Sequence, residues 1–190
     1  RDFQALAAGS SGRVQGPLVF AGYGISASKL SYDDFEGLDT EGKILLVLRR
    51  EPQQGDANSK FDGKNVTPHS FVRTKLQKAK ERKAAAVLMV NDPFSTTAEG
   101  RDELMPPTAF GSVAAGVPLV QLTQAVVDKL LAAAPLQAAP ETKLTSVAAV
   151  EKHIDDVFRP ASQPMQGWSA EVECTFEKAL AETANIVGVL

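Results

Sequence analysis

Two short runs, Ile44 to Leu48 (ILLVL) and Ala86 to Asn91 (AVLMVN), constrain the fold more than any other feature of this sequence. Each is apolar at consecutive positions and does not alternate between a wet and a dry side. A strand carries such a run when both faces of its sheet are covered. Between the runs lies a polar loop, Glu51 to Val66, followed by Thr67 and Pro68. That pair has the form of an N-cap and a first helical residue, because proline has no N–H to leave unsatisfied there. The spacing predicts a helix from Pro68 to about Ala85, docking by a narrow stripe of Phe71, Leu76, Ala79 and Ala86. Strand, helix and strand then form a right-handed parallel crossover, with ILLVL near the centre of the sheet.

The same alternation extends in both directions. Residues 17–24, PLVFAGYG, read as a strand, with Gly22 and Gly24 marking a bulge or a close backbone approach at its end. The polar stretch that follows, up to Lys43, carries turn chemistry. After Asp92 and Pro93 a loop of more than 20 residues leads to a third strand, VPLVQL, over 117–122. Thr123 then caps a helix with Val126, Val127, Leu130, Leu131 and Ala134 at helical spacing. A further helix, capped by Thr145 or Ser146, places Val147, Val150, Ile154, Val157 and Phe158 on one face. From Trp168 to Phe176 the period changes to two, which predicts a half-buried, antiparallel strand. The fold class is therefore α/β, with central parallel strands, flanking helices and added antiparallel strands.

Composition bounds the function. With 190 residues, 44% of them apolar, the chain can bury the core of one globular domain with attached segments. Its net charge of −3 gives no overall attraction to nucleic acid or anionic lipid, so neither is expected as a partner. No apolar run approaches the roughly 20 residues of a membrane span, so membrane insertion is not expected either. A single cysteine excludes an intrachain disulfide and says nothing about compartment. Arg1 in place of Met, and a final NIVGVL that reads like a strand still under way, lead to the expectation of a piece of a longer protein.

Few residues offer chemistry. His69 and His153 stand alone, without a second histidine at metal spacing, and read as solvated surface. Asp33, Asp34, Glu36 and Asp39 lack the alternating oxygens of an EF-hand and read as turn formers rather than a calcium site. Cys174 falls on the inward side of the alternating strand and reads as a packed thiol. The cations between Arg73 and Lys83 suit a solvated helix face and its C-terminal dipole. No catalytic residue is identified. One constellation follows from topology: adjacent parallel strands bring Arg49, Arg50 and Glu51 beside Asn91 and Asp92, at the carboxyl edge where open α/β sheets bind ligands. The alternative is that Arg49 or Arg50 pairs with Asp92 merely to close the loops.

The ordered segments VFAGYGI, YDDFEGLDTEGKILLVLRREP, KAKERKAAAVLMVNDP and VPLVQL with its following helix are similar to one known family. The chain resembles the protease-associated domain inserted in zinc-dependent aminopeptidases related to aminopeptidase Y. The resemblance implies a swivelling β/β/α domain over 17–180, preceded by a linker or strand over 1–16 and followed over 181–190 by the start of a strand re-entering the peptidase. It implies a non-catalytic part that shapes substrate access, with zinc ligands lying beyond Leu190. Its partners would be its own peptidase domain and a peptide or protein substrate, in a secreted or periplasmic enzyme. Arg49, Arg50, Glu51, Asn91 and Asp92 would be the substrate or partner contacts. A sorting or interaction module in a non-peptidase host is the alternative. The chain departs from the family in having Arg50 after the strand-end arginine, and Lys83 in RKAAA, where glycine is usual.

Overall fold

The computed structural model describes residues 1–111 and 116–177. Along the chain come β1 (Phe3–Ala5), β2 (Gly12–Phe20), β3 (Ser26–Ala27), β4 (Tyr32–Asp33), β5 (Ile44–Leu48), α1 (Val72–Glu81) and β6 (Ala86–Val90). They are followed by α2 (Pro93–Glu99), β7 (Leu119–Leu122), α3 (Gln124–Ala133), β8 (Leu136–Ala139), β9 (Thr142–Leu144), α4 (Val147–Val157) and β10 (Gln163–Cys174). One sheet has the order β1-β7-β6-β5-β2-β10, and two hairpins, β3–β4 and β8–β9, stand apart from it. The inner strands β2, β5, β6 and β7 are mutually parallel. The edges β1 and β10 run antiparallel to their neighbours.

The two apolar runs lie side by side, Ile44 opposite Ala86 through Leu48 opposite Val90. Every residue of both is buried, as their unbroken apolarity requires. Successive side chains then serve different layers. Ile44, Leu46, Leu48, Ala86, Leu88 and Val90 join a core with Val127 and Leu131 of α3 and Val150 and Ile154 of α4. Leu45, Val47, Val87 and Met89 pack on the opposite face with Val72, Leu76 and Ala79 of α1. The alternating strand is also as expected: Val172 and Cys174 are buried between exposed neighbours. Burial pushes the Cys174 thiol above its ordinary range, as for a packed rather than reactive sulfur.

Several local expectations are corrected. Thr67 does accept from His69 N, but it caps only a 3-10 turn, Pro68–Ser70. Phe71 is extended, with ψ 130°, and separates that turn from α1. Phe71 therefore leaves the docking stripe and is 53% exposed, while Val72 takes its place. The long segment after β6 contains α2, whose N-cap Asp92 accepts from Ser95 N at 2.9 Å. Asp92 and Pro93 thus repeat the cap-then-proline signal of Thr67 and Pro68. Hairpin β3–β4 occupies a stretch read only as turn, and β8–β9 one to which the periodicity assigns no element. At α3 the Thr123 side chain makes no cap bond; Gln124 N donates instead to Asp102 Oδ2, at 2.6 Å. At α4 it is Ser146 that caps, accepting from Ala149 N at 3.1 Å. The expected re-entrant strand over 181–190 lies outside the described residues.

Helix α1 ends at Glu81 rather than near Ala85, and the reason is a Schellman turn. Ala84 N donates to Ala79 O at 2.9 Å and Lys83 N to Lys80 O at 3.0 Å, with Lys83 at φ 55°. A left-handed residue at this place is normally glycine, because a Cβ there is strained. The partner of Lys83, Glu41 at 3.1 Å, is a pair about 70% exposed on each side and contributes little. Lys83→Gly is expected to stabilise the fold by about 0.5–1 kcal/mol, read as a higher urea midpoint at unchanged slope. An unchanged or lower midpoint would contradict the strain argument.

Candidate functional site

The carboxyl ends of β5 and β6 bring Arg49, Arg50 and Glu51 next to Asn91 and Asp92. Parallel pairing causes this directly, since Arg49 N continues the ladder by donating to Val90 O at 2.8 Å. The five residues then divide by environment. Glu51, Asn91 and Asp92 are 3%, 3% and 0% exposed, whereas Arg49 and Arg50 are half-buried at the surface.

Each buried member holds a loop. Glu51 Oε1 accepts from Thr67 N at 2.8 Å, and its other oxygen accepts from the Thr67 hydroxyl, which fixes the entry to α1. Asn91 Nδ2 donates to Asp102 Oδ1 at 3.0 Å and to Glu103 O at 3.1 Å. Its Oδ1 accepts from Gln121 Nε2 at 3.0 Å and, less closely, from Arg49 Nη1 at 3.4 Å. Asp92 caps α2 and accepts from Gln54 Nε2 at 2.8 Å. Neither arginine forms an ion pair with Asp92 among the described residues, so the loop-closing alternative is not what the structure shows.

Two clefts flank Arg50. The first, about 290 Å³, is lined by Arg49, Arg50, Arg73, Phe71 and Phe110. The second, about 220 Å³, includes Gln54, Lys64, Val66, Ser95 and Phe94. Val66, Phe71 and Phe94 are 57%, 53% and 44% exposed, three of the five most exposed large apolar side chains among the described residues. Apolar side chains left uncovered around unpaired cations are the ordinary makings of a binding surface.

Beneath this edge lies a buried ionic network that the sequence reading missed. Asp34 is fully buried and accepts from Tyr23 N and Ile25 N at 3.0 Å each and from the Tyr32 hydroxyl at 2.9 Å. Lys75, 3% exposed, donates to Arg50 O at 2.6 Å and to Tyr23 O, so it ties the strand end to the turn after β2. A legible signal existed: Val72, Lys75, Leu76 and Ala79 share the spacing of a buried helix stripe, with the lysine inside it. Burial raises the Asp34 carboxyl and lowers the Lys75 amine, and each charge pulls the other back. On the far side, Asp92 Oδ2 is buried without a partner among the described residues, and the Tyr23 hydroxyl and Glu151 Oε1, also without a hydrogen bond of ordinary geometry, lie near enough for the hydroxyl to favour the ionised carboxyl. Burial first, then the charges of Asp92 and Asp155, push Glu151 up to about 8.

In the acidic stretch YDDFEGLD the aspartates are engaged within the fold. Asp34 points inward, Asp33 accepts from Ser26 and from Phe35 N, and Asp39 pairs with Lys43 at 2.6 Å. Among the described residues no group of three or more His, Cys, Asp or Glu side chains is placed to hold a metal ion. His69 stacks edge-on against Phe61, and no helix of the described residues is long and apolar enough to cross a membrane. The basic helix is partly neutralised: Lys78 pairs with Glu81 at 2.7 Å and Arg82 with Asp33 at 3.6 Å.

A family model described as the PA domain matches residues 14–130, from β2 into α3. The chain belongs to the PA domain family. The matched span carries every residue of the strand-end edge, while α4 and β10 of this PA domain lie outside it. Among solved structures, the PA domain is similar to an aminopeptidase from Aneurinibacillus sp. strain AM-1, at 25% identity over 70% of this chain and 24% of that one, TM-score 0.43. It is also similar to a zinc aminopeptidase from Bacillus subtilis, at 16% identity over 89% of this chain and 29% of that one, TM-score 0.40. The chain therefore spans less than a third of either protein. No curated protein matches it.

Proposed function

We propose that this PA domain is a non-catalytic accessory domain of an extracytoplasmic zinc aminopeptidase, of the kind related to aminopeptidase Y. Residues 17–180 would form the accessory domain, 1–16 the approach from the upstream peptidase part and 181–190 the return to it. It contacts peptide at the strand-end edge and shapes the approach to the active site. Arg49 and Arg50 make the contacts; Glu51, Asn91 and Asp92 position the loops around them. The observation that carries the reading is the strand-end edge itself: two half-buried arginines without an ion pair among the described residues, among Val66, Phe71 and Phe94 left open to solvent. Membership of the PA domain family and the ordered resemblance of four sequence segments supply the peptidase context. In this reading zinc is held by the catalytic part of the parent; among the described residues no group of three or more His, Cys, Asp or Glu side chains is placed to hold a metal ion.

The test compares this chain with its full-length parent on aminoacyl p-nitroanilides and on peptides. The 190-residue chain is expected to hydrolyse neither. In the parent, Arg49→Ala with Arg50→Ala is expected to lower kcat/KM for peptides about tenfold and leave the p-nitroanilides within twofold, since only longer substrates reach the edge. Hydrolysis by the chain alone, or an equal loss on both substrate types, overturns the reading.

A further inference from the structure

Resting on the strand-end reading, we propose that the cleft of Arg49, Arg50 and Arg73 is a carboxylate-binding site, taking a carboxylate that stands beside an apolar side chain. The three guanidiniums line one cleft of about 290 Å³, and none has an ion pair among the described residues. Like charges held together without a counter-charge are unfavourable at rest. Arg49 shows the effect: burial, then the charge of Arg50, makes its guanidinium less basic than usual. Arg50 Nε is buried without an acceptor, a donor left unmet in the free domain.

The neighbouring carboxylates compensate only in part: Glu99 and Asp92 act on the Arg49 guanidinium from a distance, and neither forms an ion pair with the three arginines among the described residues. Asp92 and Glu51 are committed to Ser95, Gln54 and Thr67 inside the fold. The backbone adds to the field, because the cleft also receives Phe71, Val72 and Arg73 from the start of α1. Phe71 at the N-cap gives that helix no side-chain acceptor, so its first turn presents uncapped donors and a positive dipole end. An anion in the cleft supplies the counter-charge the three arginines lack and an acceptor for the start of α1.

Carboxylate is favoured over other anions by shape and by the walls. A guanidinium fork matches a planar carboxylate through two parallel bonds. Phe71, Phe110, Val72 and Ala8 supply apolar walls, which suit an anion attached to a hydrocarbon body better than a free oxyanion. The volume is at the small end for binding clefts and suits one residue of a peptide rather than a nucleotide. The carboxylate can be the C-terminus of a peptide or an acidic side chain.

The test titrates the 190-residue chain, followed by amide and arginine Nε–H NMR signals, with four probes. These are N-acetyl-Ala-Phe, N-acetyl-Asp-Phe-amide, the neutral N-acetyl-Ala-Phe-amide, and inorganic phosphate. Saturable shifts at Arg49, Arg50, Arg73, Phe71 and Phe110 are expected with at least one carboxylate probe, at least fivefold tighter than with the neutral peptide. The first probe winning assigns a terminal carboxylate; the second assigns an acidic side chain. Arg73→Gln, at an exposed position that folding does not depend on, is expected to weaken that binding about fivefold, and Arg49→Gln at least as much. No saturable carboxylate binding, equal binding of the neutral peptide, or phosphate binding as tightly, each overturns the proposal. The peptide-contact reading fails separately, through the parent's kinetics, so the two outcomes are distinguishable.

Discussion

Lys75→Met is expected to destabilise the domain by about 3–5 kcal/mol, measured by urea unfolding at neutral pH. The substitution keeps the methylene volume and removes the ammonium that donates to Tyr23 O and Arg50 O. Two buried carbonyls lose their donor, and the fully buried Asp34 loses the cation that offsets its charge. The donors around Asp34, two backbone N–H groups and the Tyr32 hydroxyl, are built for a carboxylate and not for a neutral acid. Gly22 shows how tightly that carboxylate is fitted: it sits at φ 52°, and a Cβ there would stand 1.8 Å from Asp34 Oδ1. Asp34→Asn should cost a comparable amount. The double variant Asp34→Asn with Lys75→Met is expected to cost at least 1 kcal/mol less than the sum of the two singles, as for groups that compensate each other. Additivity within about 0.5 kcal/mol would show that the two residues act independently. Because Lys75 holds the Arg50 carbonyl, the single variant should also weaken any ligand at the strand-end edge.

The second large effect depends on pH. Glu151→Gln is expected to change stability by less than about 1 kcal/mol at pH 5 and to raise it by about 3–4 kcal/mol at pH 8. Glu151 is 7% exposed and lies among Asp92, Asp155 and Tyr23, with its Oε2 accepting from Phe94 N at 2.9 Å. Burial raises its carboxyl from 4.5 to about 8, with the two aspartates adding to the rise. A raised folded value means the stabilising contribution is complete below the unfolded value of 4.5 and is lost as the pH climbs through about 8. Asp155, raised to about 6 chiefly by burial, slopes the same way over a lower window. Lys75 slopes oppositely: its amine is lowered from 10.5 to about 7, so its contribution is present above 10.5 and is lost as the pH falls through 7. The difference between wild type and Glu151→Gln therefore isolates the carboxyl, whereas the wild-type curve alone also carries Asp155, Lys75 and Asp34, the last raised by burial to about 7. A difference independent of pH between 5 and 8 would contradict the buried, protonated Glu151.

Particular residues show why some of this was legible and the rest was not. ILLVL and AVLMVN announced a doubly covered parallel sheet, because an unbroken apolar run has only one low-energy setting. Thr145 and Ser146 announced α4, because a hydroxyl before a helical period satisfies an N–H at the helix start, and the structure assigns that bond to Ser146. The edge of Arg49, Arg50, Glu51, Asn91 and Asp92 followed from strand direction alone. The α2 helix was missed because Asp92 and Pro93 end a strand as readily as they open a helix. The start of α1 was misplaced because Thr67 and Pro68 cap a single turn before Phe71 extends the chain.

Sequence by itself determined the α/β class, the parallel pairing of ILLVL with AVLMVN and the edge where the charged strand ends meet, since these depend on local periodicity and chain direction. Tertiary structure alone decided which of those charges face solvent. Asp34 and Lys75 look like surface residues in one dimension; both are buried against the Tyr23 backbone, whose N–H donates to the carboxylate and whose carbonyl accepts from the ammonium, because Gly22 admits the one and α1 turns the other inward. Arg49, Arg50 and Arg73 come to share one cleft only because the start of α1 lies against the end of β5. The physical reason is range: periodicity is set by neighbours a few residues apart, while desolvation and charge coupling depend on groups brought together from distant parts of the chain.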